Sequence, residues 1–311
     1  MNAQLELPLW RTAPKVTGFF KLRAHKLDGS SRDLTGWFPN LVVDTGLNRI
    51  GTGSYLSACH VGTSTTAPAN SDTQVGGFLA GTSSVVADTY GAQGTAPYYG
   101  WRLKTYRFAL GAVVGNVGSV AIATAATDGG TTILFSRARV LDDLGAPTTV
   151  TVLADEILDV TYELRLYPPL SDTTHVGASI TGSGTHDITV RAANVTAGIN
   201  WGGWLGAGIT FSPRSSSATV YNGAIGAITG APAGVSAQIG NGSMSAYSNN
   251  SLERAATFSM GLTAGNLAGG IRALYFETSL GAFQAEFSPV IAKDATKTLA
   301  LVFKVAWARN V

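Results

Sequence analysis

The sequence predicts an all-β, mainly antiparallel fold: two related β-sandwich-like modules with long Gly/Ser-rich loops and at most short helices. Three observations carry this. The run Ile157–Tyr167 alternates strictly, with Leu158, Val160, Tyr162, Leu164 and Leu166 on one face and Asp159, Thr161, Glu163 and Arg165 on the other. Successive Cβ atoms of an extended chain point to opposite faces, so this is a half-buried strand. Pro168 and Pro169 stop it, since neither can donate to a neighbouring strand. Residues 298–308 repeat the pattern with Leu299, Leu301, Phe303, Val305 and Trp307 on one face. Finally, nowhere does a 3.6-residue period persist.

The elements follow in order. Residues 15–26 read as a strand, Leu27-Asp28-Gly29-Ser30 as a turn and residues 32–38 as the return. Asp-Gly between extended runs is a hairpin signal, because glycine takes φ > 0 without a steric penalty. Leu47 and Ile50, three apart, make one or two helical turns with Asp44 placed to cap and Gly51 and Gly53 to end them. Residues 62–84 form a polar loop rich in Thr and Gly. Residues 101–110, 131–140 and 148–153 are strand-like, the first with Tyr106, Phe108 and Leu110 on one face. Residues 176–180 and 186–192 form a hairpin around Gly182-Ser183-Gly184. Residues 201–270 lack periodicity and read as long ordered loops, because Trp201, Trp204, Phe211, Tyr221, Tyr247 and Phe258 supply buriable surface. Residues 271–278 and 283–287 make a closing hairpin.

The halves echo each other. Leu110-Gly111-Ala112, Phe135-Ser136 and the alternating strand in one correspond to Leu280-Gly281-Ala282, Phe287-Ser288 and the last strand in the other. The echo puts a boundary near Pro169, dividing an N-terminal β-module (residues 1–169) from a C-terminal β-module (residues 170–311) that carries a variable loop region (residues 201–270).

Composition narrows the function classes. Charged residues are 13% of the 311-residue chain, hydrophobic residues 45%, and glycine contributes 38 positions. Soluble proteins usually carry ~25% charge, so an isolated monomer would leave an unusually unprotected surface, which burial against other copies or other proteins relieves. A net charge of +2 and the absence of any Lys/Arg run point away from nucleic acid. No apolar run approaches the ~18 residues of a membrane span. The N-terminal residues show no secretory signal, so the expected site of synthesis is a cytoplasm.

Chemical motifs are sparse, and neither a catalytic residue, a metal site nor a cofactor is expected. His25, His60, His175 and His186 have no metal-ligand spacing, and Cys59 and His60 point to opposite faces of an extended chain. There is no G-x-S-x-G elbow, and Cys59 reads as a small buried thiol. The acidic residues Asp142, Asp143, Asp155, Glu156, Asp159 and Glu163 are explained by pairing with basic residues across strands. Sequons at Asn194, Asn241 and Asn249 carry little weight without a secretory signal. Trp201-Gly202-Gly203-Trp204, with Tyr221 and Tyr247, is the candidate contact for a host surface or partner. The competing reading makes both indoles core plugs of the second module, and it is preferred because large aromatics are mostly buried.

Four segments carry a family resemblance: residues 37–50 (WFPNLVVDTGLNRI), 61–73 (VGTSTTAPANSDT), 158–169 (LDVTYELRLYPP), and the ending, from Lys297-Thr298-Leu299-Ala300-Leu301 through Trp307-Ala308-Arg309. They resemble tail, baseplate and fibre proteins of tailed bacteriophages and cover about a third of the chain across both halves. The resemblance implies a structural virion protein located in the tail, with no enzymatic activity. It further implies a homotrimer that meets other tail or baseplate proteins and contacts the host receptor through the 201–270 loops. Two alternatives are a polysaccharide-degrading tail enzyme using carboxylates such as Asp142, Asp155 or Glu156, and a capsid decoration or head-fibre protein.

Overall fold

The computed structural model describes residues 2–4 (backbone only), 13–180, 182–211, 218–240 and 242–310. Most of the N-terminal stretch read for a targeting signal, and the sequon at Asn241, lie outside these. Strands make up 49% of the chain and helices 4%, and nearly all pairing is antiparallel. The all-β, sandwich-like prediction holds.

The strand Ile157–Tyr167 sits inside a seven-stranded sheet, between Lys15–His25 and Gly100–Arg107. Its burial alternates residue by residue, and Leu158, Val160, Tyr162, Leu164 and Leu166 are all buried. Their face meets a five-stranded sheet whose order is Leu41–Val42, Leu134–Arg139, Ser119–Ala123, Ala58–Gly62, Phe78–Thr82. Tyr162 bridges the two layers, since its hydroxyl lies 3.4 Å from Ser136 Oγ and accepts from Asn40 Nδ2 at 3.1 Å. Strands of the second half form a six-stranded sheet (Thr173–Ile180, Gly184–Ala193, Gly281–Ile291, Ile271–Thr278, Ala218–Tyr221, Ser236–Gly240). Three more join Asn2–Gln4 in a four-stranded one, in which Thr298–Ala306 pairs Glu253–Met260. Phe276 of the larger sheet packs on Phe258 and Phe303 of the smaller, at 5.5 and 5.1 Å.

Connectivity differs between the halves. The first and last long strands of the first half are neighbours, Lys15–His25 against Ile157–Tyr167. In the second, Thr173–Ile180 ends the six-stranded sheet while Thr298–Ala306 lies in the four-stranded one. Two parallel pairings cross the sequence midpoint: Asn2–Gln4 joins Thr298–Ala306, and Ala308–Arg309 joins Lys15–His25.

Several elements depart from expectation. The helix runs Asp44–Thr52, longer than one or two turns, and Gly51 lies inside it. Val43 holds the N-cap position, and the Asp44 carboxylate, expected to cap, instead receives Arg309 Nη2 at 2.8 Å. Gly46 is where this helix crosses the Leu134–Arg139 strand, since a Cβ there would lie 1.9 Å from Phe135 O. The 62–84 loop contains a strand, Phe78–Thr82. The strand read as 101–110 ends at Arg107, leaving Leu110 exposed. Within 201–270 lie the strands Ala218–Tyr221, Ser236–Gly240, Ser243–Met244 and Glu253–Met260. The Gly/Ala-rich residues between Tyr221 and Ser236 are pinned: Asn194 and Val195 donate their backbone N–H to Gly230 O and Ile228 O, and the buried Gln284 bonds Gly226 and Ala227.

Candidate interaction surface

The four resemblance-bearing segments meet in space. Trp307 Nε1 donates to Leu47 O at 2.7 Å, and Arg309 Nε donates to Val42 O. Asp44 N donates to Asn70 O, and Asn40 reaches Tyr162. A single hydrogen-bonded frame therefore ties the helix, the 61–73 loop, the central strand and the chain's last strands together. Arg137, only 4% exposed, holds that loop through Val75 O, Thr66 O, Ser64 Oγ and the Asp72 carboxylate. Buried arginines persist where every donor finds an acceptor.

The four candidate contact residues do not form one surface. Trp201 is 1% exposed, and its ring lies 5.8 Å from Phe283 with Nε1 donating to Ala193 O. Cβ atoms added at Gly100 and Gly281 would strike it, so both glycines make room for this residue. It is a core plug between strands of the two halves, and its ring is closed to a surface ligand. Trp204 is half-buried in the following turn, and its Nε1 finds no partner among the described residues. That turn is clamped from the first half: Arg102 Nη1 donates to Leu205 O at 2.7 Å, and Tyr55 N donates to Gly206 O. Tyr247, half-buried, stacks on Trp307 at 5.9 Å and donates its hydroxyl to Asn48 Oδ1. Tyr221 is half-buried at a strand end, pairing Ala273 and Ser236, and desolvation raises its phenol pKa.

The carboxylates are engaged individually rather than as a pair. Glu156 accepts both Arg32 Nε and Nη2 at 2.8 Å and also Leu153 N. The guanidinium above all holds its carboxyl down to about 2. Asp155 takes Lys26 at 2.8 Å, and Asp159 takes Arg107 opposite it on the adjacent strand. Glu163 pairs along its own strand with Arg165, whose guanidinium lies over Phe19 and Tyr99. Asp142 accepts Leu144 N and Ala146 N in a turn. It lines an open 460 Å³ cleft with Asp143, Asp33 and Lys21.

Cys59 is buried, and burial pushes its thiol well above the ordinary range. His60 turns the other way, its Nε2 2.7 Å from Ala125 O and its ring edge-on to Phe78. Burial lowers its pKa. His186 Nδ1 sits 2.6 Å from Pro289 O, locking a hairpin to the neighbouring strand.

No family model, curated protein or solved structure matches the chain.

Sequence reasoning missed the polar hubs Arg102, Arg137 and Gln284, whose only signal was a polar residue inside an otherwise strand-like run. It also missed the strand Val85–Ala92, which stands exposed along most of its length.

Proposed function

We propose that the chain is a structural protein of a bacteriophage tail, at the baseplate or in a fibre, that assembles with copies of itself and with other tail proteins. The observation that carries this reading is the convergence of the four phage-like segments into one hydrogen-bonded frame. In this chain those segments fasten sheets together and carry no reactive group. The sparse charge supports it, because such a surface is protected by neighbours in an assembly. The carboxylates available to a glycoside hydrolase speak for binding rather than turnover. That chemistry needs two acids flanking one glycosidic bond, about 5–9.5 Å apart, whereas Asp155 and Glu156 are each committed to a cation and Asp142 to a turn. Trp204, Tyr221 and Tyr247 are the side chains through which a partner or host surface would be touched; Trp201 drops out because its ring is enclosed.

Fractionation of tailed particles tests the proposal. The chain should co-purify with detached tails, and the purified protein should adsorb to cells without releasing reducing sugar. Release of reducing sugar that disappears in Asp142→Asn or Asp155→Asn would establish the enzyme instead, and recovery with heads would establish a decoration protein.

A further inference from the structure

We propose that His60 is an acid-released latch: while neutral it holds the loop of residues 124–133 down over the edge strand Phe78–Thr82, and its protonation frees both. His60 lies in Ala58–Gly62, between Ser119–Ala123 and that edge strand. It stands opposite Gly81, and the loop crosses directly above this glycine. A Cβ at Gly81 would lie 1.9 Å from Ala126 O and 2.9 Å from His60 Cδ2. The imidazole therefore fills the seam between edge strand and loop, with Phe78 edge-on at 5.1 Å and 1% of the residue exposed. Among the described residues, its 2.7 Å contact with Ala125 O is the one hydrogen bond that ties residues 125–132 to the sheet. The other bonds close the loop on itself or on its neck: Thr132 N to Gly129 O, Thr132 Oγ1 to Thr127 O, and Thr124 with Ile133.

The bond fixes the ring's protonation. A carbonyl oxygen only accepts, so the proton sits on Nε2. Nδ1 is then a bare lone pair, buried and without a partner. Acid adds its proton there, which makes a buried imidazolium whose new N–H has no acceptor. Burying a charge and an unsatisfied donor is unfavourable, and burial holds the ring's pKa below the ordinary histidine value.

The groups facing the ring offer little compensation. The edge strand contributes Gly81 and Phe78, and the strand on the other side contributes Ala121. Arg137, paired with Ala121 from beyond, adds a like charge to this face, with Arg139 two residues on. Asp72, in the polar loop above, is already committed to Arg137. Asp128, in the latched loop itself, pulls toward the charged form, but more weakly than burial opposes it. Turning the ring to solvent removes the penalty and breaks the Ala125 bond, so loop and edge strand loosen together. The folded pKa lies below the unfolded one, so the closed arrangement is favoured at neutral pH and loses ground as pH falls below 6.5.

The latch does not depend on where the chain assembles. Amide exchange on the full chain reads it, expressed as protection factors to remove the intrinsic effect of pH. Between pH 7.5 and pH 5, protection across residues 124–133 and Phe78–Thr82 should fall about tenfold, while Ile157–Tyr167 stays unchanged. His60→Gln keeps an N–H donor for Ala125 O and cannot titrate, so its protection should be the same at both pH values. Histidine 13Cε1 NMR of the unaltered chain gives a readout that needs no variant: the His60 signal should titrate with a midpoint below 6.5. Wild-type protection indifferent to acid, an equal acid loss in His60→Gln, or a His60 midpoint at or above 6.5 would each overturn the latch.

Discussion

Replacing Trp201 with Ala separates a core role from a contact role. The indole is 1% exposed and enclosed by Gly100, Gly281 and Phe283. Burying roughly 200 Å² of aromatic side chain at about 25 cal/mol per Å² gives a gross loss near 5 kcal/mol. Buried Phe or Trp truncations cost about 3–5 kcal/mol once partial collapse of the cavity is allowed. Losing the bond to Ala193 O adds about 1 kcal/mol. We expect a net destabilisation of about 4 kcal/mol, and at roughly 1.5 °C per kcal/mol for a chain of this size the melting temperature should fall by about 6 °C. Urea titration and thermal melts by circular dichroism measure this. Trp204→Ala, at a half-buried ring, should cost about 1 kcal/mol and act on adsorption instead. A Trp201→Ala protein that melts within 2 °C of wild type yet adsorbs poorly would refute the core assignment.

Other outcomes are equally specific. Glu156→Gln should flatten the acid side of the stability curve. A carboxyl held at about 2 rather than 4.5 contributes stability that is present above the unfolded pKa and lost as pH falls toward 2. Solvent screening at the half-exposed Arg32 brings its worth to about 1–2 kcal/mol, measurable by urea titration at pH 7 and pH 3. Gly46→Ala should cost at least about 3 kcal/mol, because both sides of the clash with Phe135 O are backbone; an unchanged urea midpoint would show that the helix does not cross there. Leu164→Asp should yield no soluble folded protein, since it buries a charge without a partner. A native-like variant would mean the apolar face of Ile157–Tyr167 is misassigned.

What was legible in the sequence was the pattern of half-buried strands. Ile157–Tyr167 and Thr298–Ala306 each bury one face and wet the other, so alternation reported them directly. Ala58–Gly62 and Ser119–Ala123 escaped because they are buried along their whole length, and a strand covered on both sides has no alternation to display. Val85–Ala92 escaped for the opposite reason, since six of its eight residues are exposed. Glu253–Met260 lies in a Gly/Ser-rich region, and its role depends on a partner 39 to 53 residues later, Thr298–Ala306. Of the candidate aromatics, Trp201 is fully buried, while Trp204, Tyr221 and Tyr247 are half-buried. Which of them face solvent depended on Gly100 and Gly281, distant residues that carve the Trp201 pocket. The fastening role of Trp307, Arg309 and Asn40 was equally invisible, because each acts on a backbone or side chain in another segment.

Immunogold electron microscopy of whole tailed particles, with an antibody against this chain, tests the central claim most directly. A tail subunit puts gold at the baseplate or along the fibres. Gold confined to heads, or particles left unlabelled, would contradict it.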